Sequence, residues 1–334
     1  MWCGFLPECI INYFYTMFFK SKPQMGPYLI MVAASLWAID AVFRTQLTTS
    51  IPSSAIVFLE HTIGFLILSP IFFKNWDNIK KLSKAEWLNF IVLTIISSVL
   101  GAILFTQALS KSFAEFDFVT PILLQKLQPV FVVILSAIFL KEKITSRFIA
   151  FAILALVGSY MMTFGTEIVQ LTLQGKELVF VLALGAALCW GGGTILSKKA
   201  LKTLNFPAAT AMRFLLAIPI SLMFMFIFNQ TYNIAQISLD QIWRLLIIAS
   251  VTGGAGAIFL YYKGLQNTDA KVSTFAELML PLVSLLIALT ALNPYGAPQK
   301  LTVANAMGIV LLVVSILVIS LEHNKRQTTI LEEK

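Results

Sequence analysis

The amino-acid sequence predicts an all-α polytopic membrane protein whose ten transmembrane helices form two inverted five-helix repeats. Three observations carry this expectation. Of 334 residues 58% are hydrophobic and only 12% are charged, whereas a soluble globule carries about a quarter charged residues to cover its surface. Apolar runs of about 20 residues, the length that crosses a bilayer core as a helix, recur along nearly the whole chain. Finally, the basic residues fall on alternate sides. Seventeen of the 24 Lys and Arg lie in loops on the side where the first span begins, five (Arg44, Lys111, Lys176, Arg244, Lys300) lie on the other side, and Lys126 and Arg213 lie inside spans. That asymmetry puts both termini in the cytoplasm and requires an even number of spans, with the plasma (inner) membrane as the expected location.

The spans of the first half are expected at 26–46, 54–73, 87–109, 117–140 and 147–164. Those of the second half are expected at 178–198, 208–228, 243–263, 272–292 and 303–321. The domain reading is a repeat over 26–165, a repeat over 177–321 and a cytoplasmic tail over 322–334. Residues 1–25 are aromatic and apolar but broken by Pro7 and Glu8, and Lys20 and Lys22 follow the apolar stretch instead of preceding it. That order is wrong for a signal peptide, which leaves two readings: an interfacial segment, or a start-site artefact with translation beginning at Met25.

The net charge of +8 reports cytoplasmic loops and not a nucleic-acid partner. Cys3, Cys9 and Cys189 form no paired spacing, and His61 and His323 are the only histidines. Neither a disulfide framework nor a metal or cofactor site is expected. The expected partners are a small-molecule solute and the lipid bilayer, with a homodimer left open.

The halves resemble each other. Trp37 and Trp190 each sit midway along the first span of a half, and the same offset of 153 sets Glu60 against Arg213. Ala108-Leu109 in the third span matches Gly264-Leu265 in the eighth, and Pro129 in the fourth matches Pro281 in the ninth. With five spans per half the halves enter the membrane in opposite senses, which is a transporter signature.

These residues also carry a family resemblance. The Trp37 and Trp190 spans, the small-residue third span through Gly101, Ala102, Gln107, Ala108 and Leu109, and Leu127-Gln128-Pro129 followed by Leu140-Lys141-Glu142-Lys143-Ile144-Thr145 resemble EamA-type members of the drug/metabolite transporter superfamily, over about 26–321. The second copy of the last stretch keeps Pro281, but its turn from Asn293 to Lys300 lacks the acidic residue. Where many relatives have Glu directly before the midspan proline, this chain has Gln128 and Leu280, with Glu277 one turn earlier. The resemblance implies a secondary active transporter of small organic metabolites such as amino acids, nucleosides or drugs, working by alternating access, with export the direction expected.

An ionisable group inside a span costs several kcal/mol unless it faces protein or a water-filled cavity, so each is a functional candidate. Trp37, Asp40 and Arg44 share one helix face. They read either as a cavity wall for a zwitterionic or cationic solute or as a self-satisfied Asp40–Arg44 ion pair. Glu60, expected without a strong partner, and His61, which also reads as a packing residue, are the proton-coupling candidates. Lys126 is expected to bind a carboxylate or to pair with a neighbouring helix, and Glu277 holds the corresponding inner position of the second half. Arg213 reads as snorkelling to the cytoplasmic surface or as pairing with a substrate anion. The substrate-binding candidates are therefore Trp37, Asp40, Lys126, Trp190 and Glu277, and Pro129 and Pro281 are the candidate hinges. Gly191-Gly192-Gly193 and Gly253-Gly254 with Gly256 lie in apolar spans and read as packing or bending points. No H-E-x-x-H, no Gly-x-Gly-Asp with a second Asp and no credible Ser/His pair is present, which argues against an intramembrane enzyme. A flippase or passive channel stays open as an alternative.

Overall fold

The computed structural model describes residues 23–114, 124–168, 177–293 and 297–332. In the first half α1 is Gly26–Leu47, α2 is Ser53–Lys74, and α3 runs through Lys84–Leu93, a π-helical stretch Thr94–Leu100 and Gly101–Ala114. α4 is Gln128–Leu140 and α5 is Ser146–Phe164. In the second half α6 is Glu177–Ala200, α7 is Phe206–Ile227, and α8 is Leu239–Gln266 with a π-helical stretch Ile248–Thr252. α9 is Ala270–Ala288 and α10 is Val303–Glu332. Among the described residues nine helices are long and apolar enough to cross a membrane, and α4 is the shorter tenth. The part of the expected fourth span before residue 124, and the segment 1–22, lie outside the described residues.

Local chemistry marks the repeat at matching places. Ser83 and Glu86 close a reciprocal capping box at the start of α3, and Ser238 and Gln241 do the same at the start of α8. Each pair satisfies two of the backbone N–H groups that a helix start leaves without partners. Thr145 caps α5 and Thr302 caps α10. The π-helical stretches of α3 and α8 also correspond, and each widens the backbone of its span midway along it.

The contacts between halves obey the same exchange. α2 packs on α7 and α5 on α10, each with its own counterpart. α1 packs on α8 as α6 packs on α3, and α1 packs on α9 as α6 packs on α4. Exchanging the halves therefore maps the first two contacts onto themselves and the others onto one another, the relation expected of inverted repeats. Small residues allow the close approaches. A Cβ added to Gly158 on α5 would lie 2.6 Å from the Leu312 backbone N of α10, so that crossing requires glycine. Ala33, Ala34, Ala208, Ala209 and Ala211 are fully buried, while Leu66, Phe73, Val181, Phe226 and Val310 are exposed on the outer surface, where lipid makes large side chains cost-free.

α10 extends to Glu332, past the expected end of the span at 321, so residues 322–332 of the stretch expected as a tail are helical. Its polar side chains anchor it: Arg147 of α5 pairs with Glu322, and His323 and Gln327 reach the Asn267 carbonyl between α8 and α9. Hydropathy reports where hydrocarbon ends, not where the hydrogen-bonded helix ends.

Candidate substrate site in the seam between the repeats

The spans that carry Pro129 and Pro281 are each interrupted just before that proline. On the fourth span Lys126 and Leu127 form a turn and Pro129 falls in the first turn of α4, where its missing N–H costs nothing. In α9 the helix breaks at Glu277 and Leu278, between Ala276 and Met279, ahead of Pro281. The two breaks bring Gln128 and Glu277 together: Gln128 Nε2 donates to Glu277 Oε2 at 3.0 Å. Tyr261 of α8 donates its hydroxyl to the other oxygen, Oε1, at 3.1 Å, and Gln125 Nε2 donates to Gln128 Oε1 at 3.2 Å. The Tyr261 and Thr194 hydroxyls lie 3.3 Å apart. The Trp37 ring lies 5.3 Å from the Tyr261 ring at 52°. Residues from spans of both repeats thus converge on one carboxylate, which has no cationic partner within ion-pair distance among the described residues. Glu277 and Trp37 are only partly buried. Trp190, on the equivalent first span of the second repeat, packs at 5.3 Å against Phe105 and stands apart from the Glu277 node.

Toward the C-terminal end of α1 lies a second cluster. Arg44 Nε meets Asp40 Oδ2 at 2.6 Å and Arg44 Nη2 meets Glu60 Oε2 at 2.9 Å. Thr252, in the π-helical stretch of α8, donates to Asp40 Oδ1 at 3.3 Å. Gly253 beside it leaves room for that carboxylate, since a Cβ there would collide with Asp40 Oδ1. Asp40 and Glu60 are 6% and 7% exposed. The Asp40–Arg44 pair expected from the sequence therefore exists, and Glu60, expected without a strong partner, shares the same guanidinium. His61 points elsewhere: its Nδ1 lies 2.8 Å from the Val57 carbonyl and its ring packs 5.0 Å from Phe214.

Arg213 corrects the expectation of snorkelling. It is 7% exposed and donates to Ser98 Oγ at 2.5 Å, to Ser97 Oγ at 3.1 Å and to the Tyr262 hydroxyl at 3.1 Å. Hydroxyls inside the protein are within reach and the surface is not needed. Lys126 takes the helix-pairing reading. Its Nζ donates to the Ser159 carbonyl at 3.2 Å and to Thr163 Oγ1, and lies 5.7 Å from the Phe164 ring centre. All three partners are on α5, and no carboxylate lies within ion-pair distance of Lys126 among the described residues.

On the side where α9 begins the repeats are tied together by backbone capping. Glu142 accepts from the Ala270 N–H at 2.7 Å and the Lys271 N–H at 3.0 Å, capping the start of α9 from the other repeat, where the helix dipole favours a carboxylate. Lys271 Nζ donates to the Lys143 carbonyl at 2.6 Å. Burial pushes the Asp269 carboxyl up, but His323 at 3.7 Å and Lys271 at 3.6 Å, with Lys198 near, outweigh it and hold Asp269 down to about 2.

Ten apolar helices in two exchangeable halves, with paired midspan breaks gathering polar side chains between them, define a multi-pass membrane transporter. The EamA-like transporter family model matches residues 24–164 and 178–321, and the chain belongs to that family. It is a transporter and not an enzyme. The chain is 31% identical over 299 residues to the riboflavin transporter ImpX of Fusobacterium nucleatum subsp. nucleatum, covering 88% of this chain and 97% of the relative. It is 25% identical over 236 residues to an uncharacterized transporter of Synechocystis sp., covering 68% and 64%. A solved crystal structure superposes with a TM-score of 0.69 over 91% of this chain and 98% of its own at 15% identity, which shows the fold alone.

Sequence reasoning missed Tyr261, Tyr262, Ser97, Ser98 and Thr252. A signal existed in the Tyr-Tyr pair within an apolar run after Gly253-Gly254-Ala255-Gly256, because a phenol hydroxyl in hydrocarbon needs a partner.

Proposed function

We propose that this protein is a secondary active transporter of riboflavin or a closely related flavin, working by alternating access, with both termini in the cytoplasm. The observation that carries the reading is the node where Gln128 and Tyr261 hold Glu277 and the Trp37 ring packs on Tyr261. An aromatic wall with a few convergent hydrogen-bonding groups suits a planar heterocycle. The likeness to a relative named as a riboflavin transporter, along nearly its full length, supports the same substrate class. Trp37 and Glu277 are the first-choice substrate contacts. Asp40, Lys126 and Trp190, also expected as substrate contacts, are engaged outside the node, by Arg44, by α5 and by Phe105 respectively.

The breaks just ahead of Pro129 and Pro281 serve as bending points for the exchange between states, since the helical hydrogen-bond ladder is interrupted there. Of the two proton-coupling candidates the geometry favours Glu60, which shares one guanidinium with Asp40, over His61, which is occupied by its own helix. The test is flux in proteoliposomes in both directions, with and without a pH gradient, with amino acids and nucleosides as competitors. Saturable riboflavin flux that responds to the gradient supports the reading. Unsaturable flux, or competition by amino acids in place of flavins, contradicts it.

A further inference from the structure

The Glu277 node presents three hydrogen-bonding groups side by side. Gln128 Nε2 stands 3.0 Å from one carboxylate oxygen and the Tyr261 hydroxyl 3.1 Å from the other. The polarity of Gln128 is fixed by its other partner, and that of Tyr261 by the carboxylate that it faces. Gln125 donates to Gln128 Oε1, so the Gln128 amide nitrogen faces Glu277, and an ionised carboxylate only accepts. The order across the node is therefore donor, acceptor, donor. Its complement is an acceptor, a donor and an acceptor in a row, which is the C=O, N–H, C=O edge of a cyclic imide.

We propose that Gln128, Glu277 and Tyr261 read the imide edge of a planar heterocycle, with Glu277 accepting its N–H and Trp37 lying against its face. This rests on the substrate reading above in that a flavin ring carries such an edge, as does a uracil. Without ligand the three groups satisfy one another. With ligand, the carboxylate takes the imide N–H in place of the Tyr261 hydrogen, Tyr261 turns its hydrogen to one flanking carbonyl, and Gln128 gives its second amide hydrogen to the other while keeping Glu277, so each polar group keeps a partner. Because α4 and α9 contribute at their breaks, in opposite repeats, closing on this edge also draws the two repeats together, which couples recognition to the change of state.

The test uses the full-length protein in proteoliposomes with riboflavin and N3-methylriboflavin, which differ only at the imide nitrogen. A site built to hydrogen-bond an N–H rejects the analogue that lacks it. The expected result is a kcat/KM for the methylated compound at least about tenfold lower, because the carboxylate, covered by the ligand, would then face a methyl group. Glu277→Gln is expected to reduce that preference to about threefold or less, and its melting temperature shows whether it still folds. If it does not, Tyr261→Phe, which removes one flanking donor, is expected to lower riboflavin affinity about three- to tenfold. Equal handling of both flavins by the unmodified protein overturns the proposal while leaving flavin transport standing. If neither flavin binds, uridine against N3-methyluridine decides by ligand-induced thermal shift. Preference for uridine keeps the imide reading and retires the flavin, and no shift with either overturns both.

Discussion

Glu60 of α2 and Arg213 of α7 occupy equivalent places in the two repeats, each the eighth residue of its helix, counted from opposite sides of the membrane. Each belongs to a cluster that reaches the π-helical stretch of the other repeat: Thr252 through Asp40 and Arg44 in one case, Ser98 directly in the other. The charges differ. The first cluster holds two carboxylates on one guanidinium, and the second holds one guanidinium on three hydroxyls. The inverted repeat thus fixes where a polar contact crosses between halves without fixing its charge. The two clusters should therefore differ in how well each tolerates loss of its arginine.

The largest loss is expected at Arg44. Arg44→Met strands two buried carboxylates, and breaking a buried ion pair from one side costs about 3–5 kcal/mol. Reversible unfolding in mixed micelles measures it, and a loss below about 1 kcal/mol would mean that the two clusters are energetically alike. At Glu60 the conservative change Glu60→Gln keeps the shape and leaves Asp40 alone on the guanidinium, for a loss of about 1–2 kcal/mol. If Glu60 carries the coupling proton, flux through this variant also stops responding to a pH gradient; an unchanged response removes it from that role.

Arg213→Met is expected to change stability by only about 1 kcal/mol in either direction, because a buried charge is removed and the hydroxyls of Ser97 and Ser98 can turn to helix carbonyls of their own span. A collapse as large as that of Arg44→Met would falsify the asymmetry. The mildest change belongs to His61. Replacement by Asn is expected to cost about 1 kcal/mol or less and to leave the pH profile of transport in place; a shifted profile would move the coupling role onto the imidazole.

Much of this architecture was legible in the chain. Composition and alternating basic loops led to a helical multi-pass protein, and the matched Trp37/Trp190 and Pro129/Pro281 marked the repeat, because span length and loop charge are set by the bilayer and act locally. The capping boxes at Ser83 and Ser238 could have sharpened it, since their spacing is visible without a structure. Partners were much less legible. Which group Arg213, Lys126 or Glu60 meets depends on helices 33 or more residues away for the first two and on a loop crossing for the third, and hydropathy carries no information about rotation around a helix axis. The Glu277 node was half visible. Glu277 stood out as an ionisable residue in a span, but Gln128 was read only as a departure from the family pattern and Tyr261 was not singled out. Their meeting depends on two helix breaks in opposite repeats.

If a flavin passes through the seam between the repeats at Glu277, its transport depends on that carboxylate. Uptake of radiolabelled riboflavin into proteoliposomes, compared between the unmodified protein and Glu277→Gln at equal reconstitution, tests this dependence. Saturable uptake is expected to fall at least about tenfold in the variant while its melting temperature stays within a few degrees. Saturable riboflavin uptake of equal efficiency in both proteins would place the substrate elsewhere and refute a flavin site at Glu277.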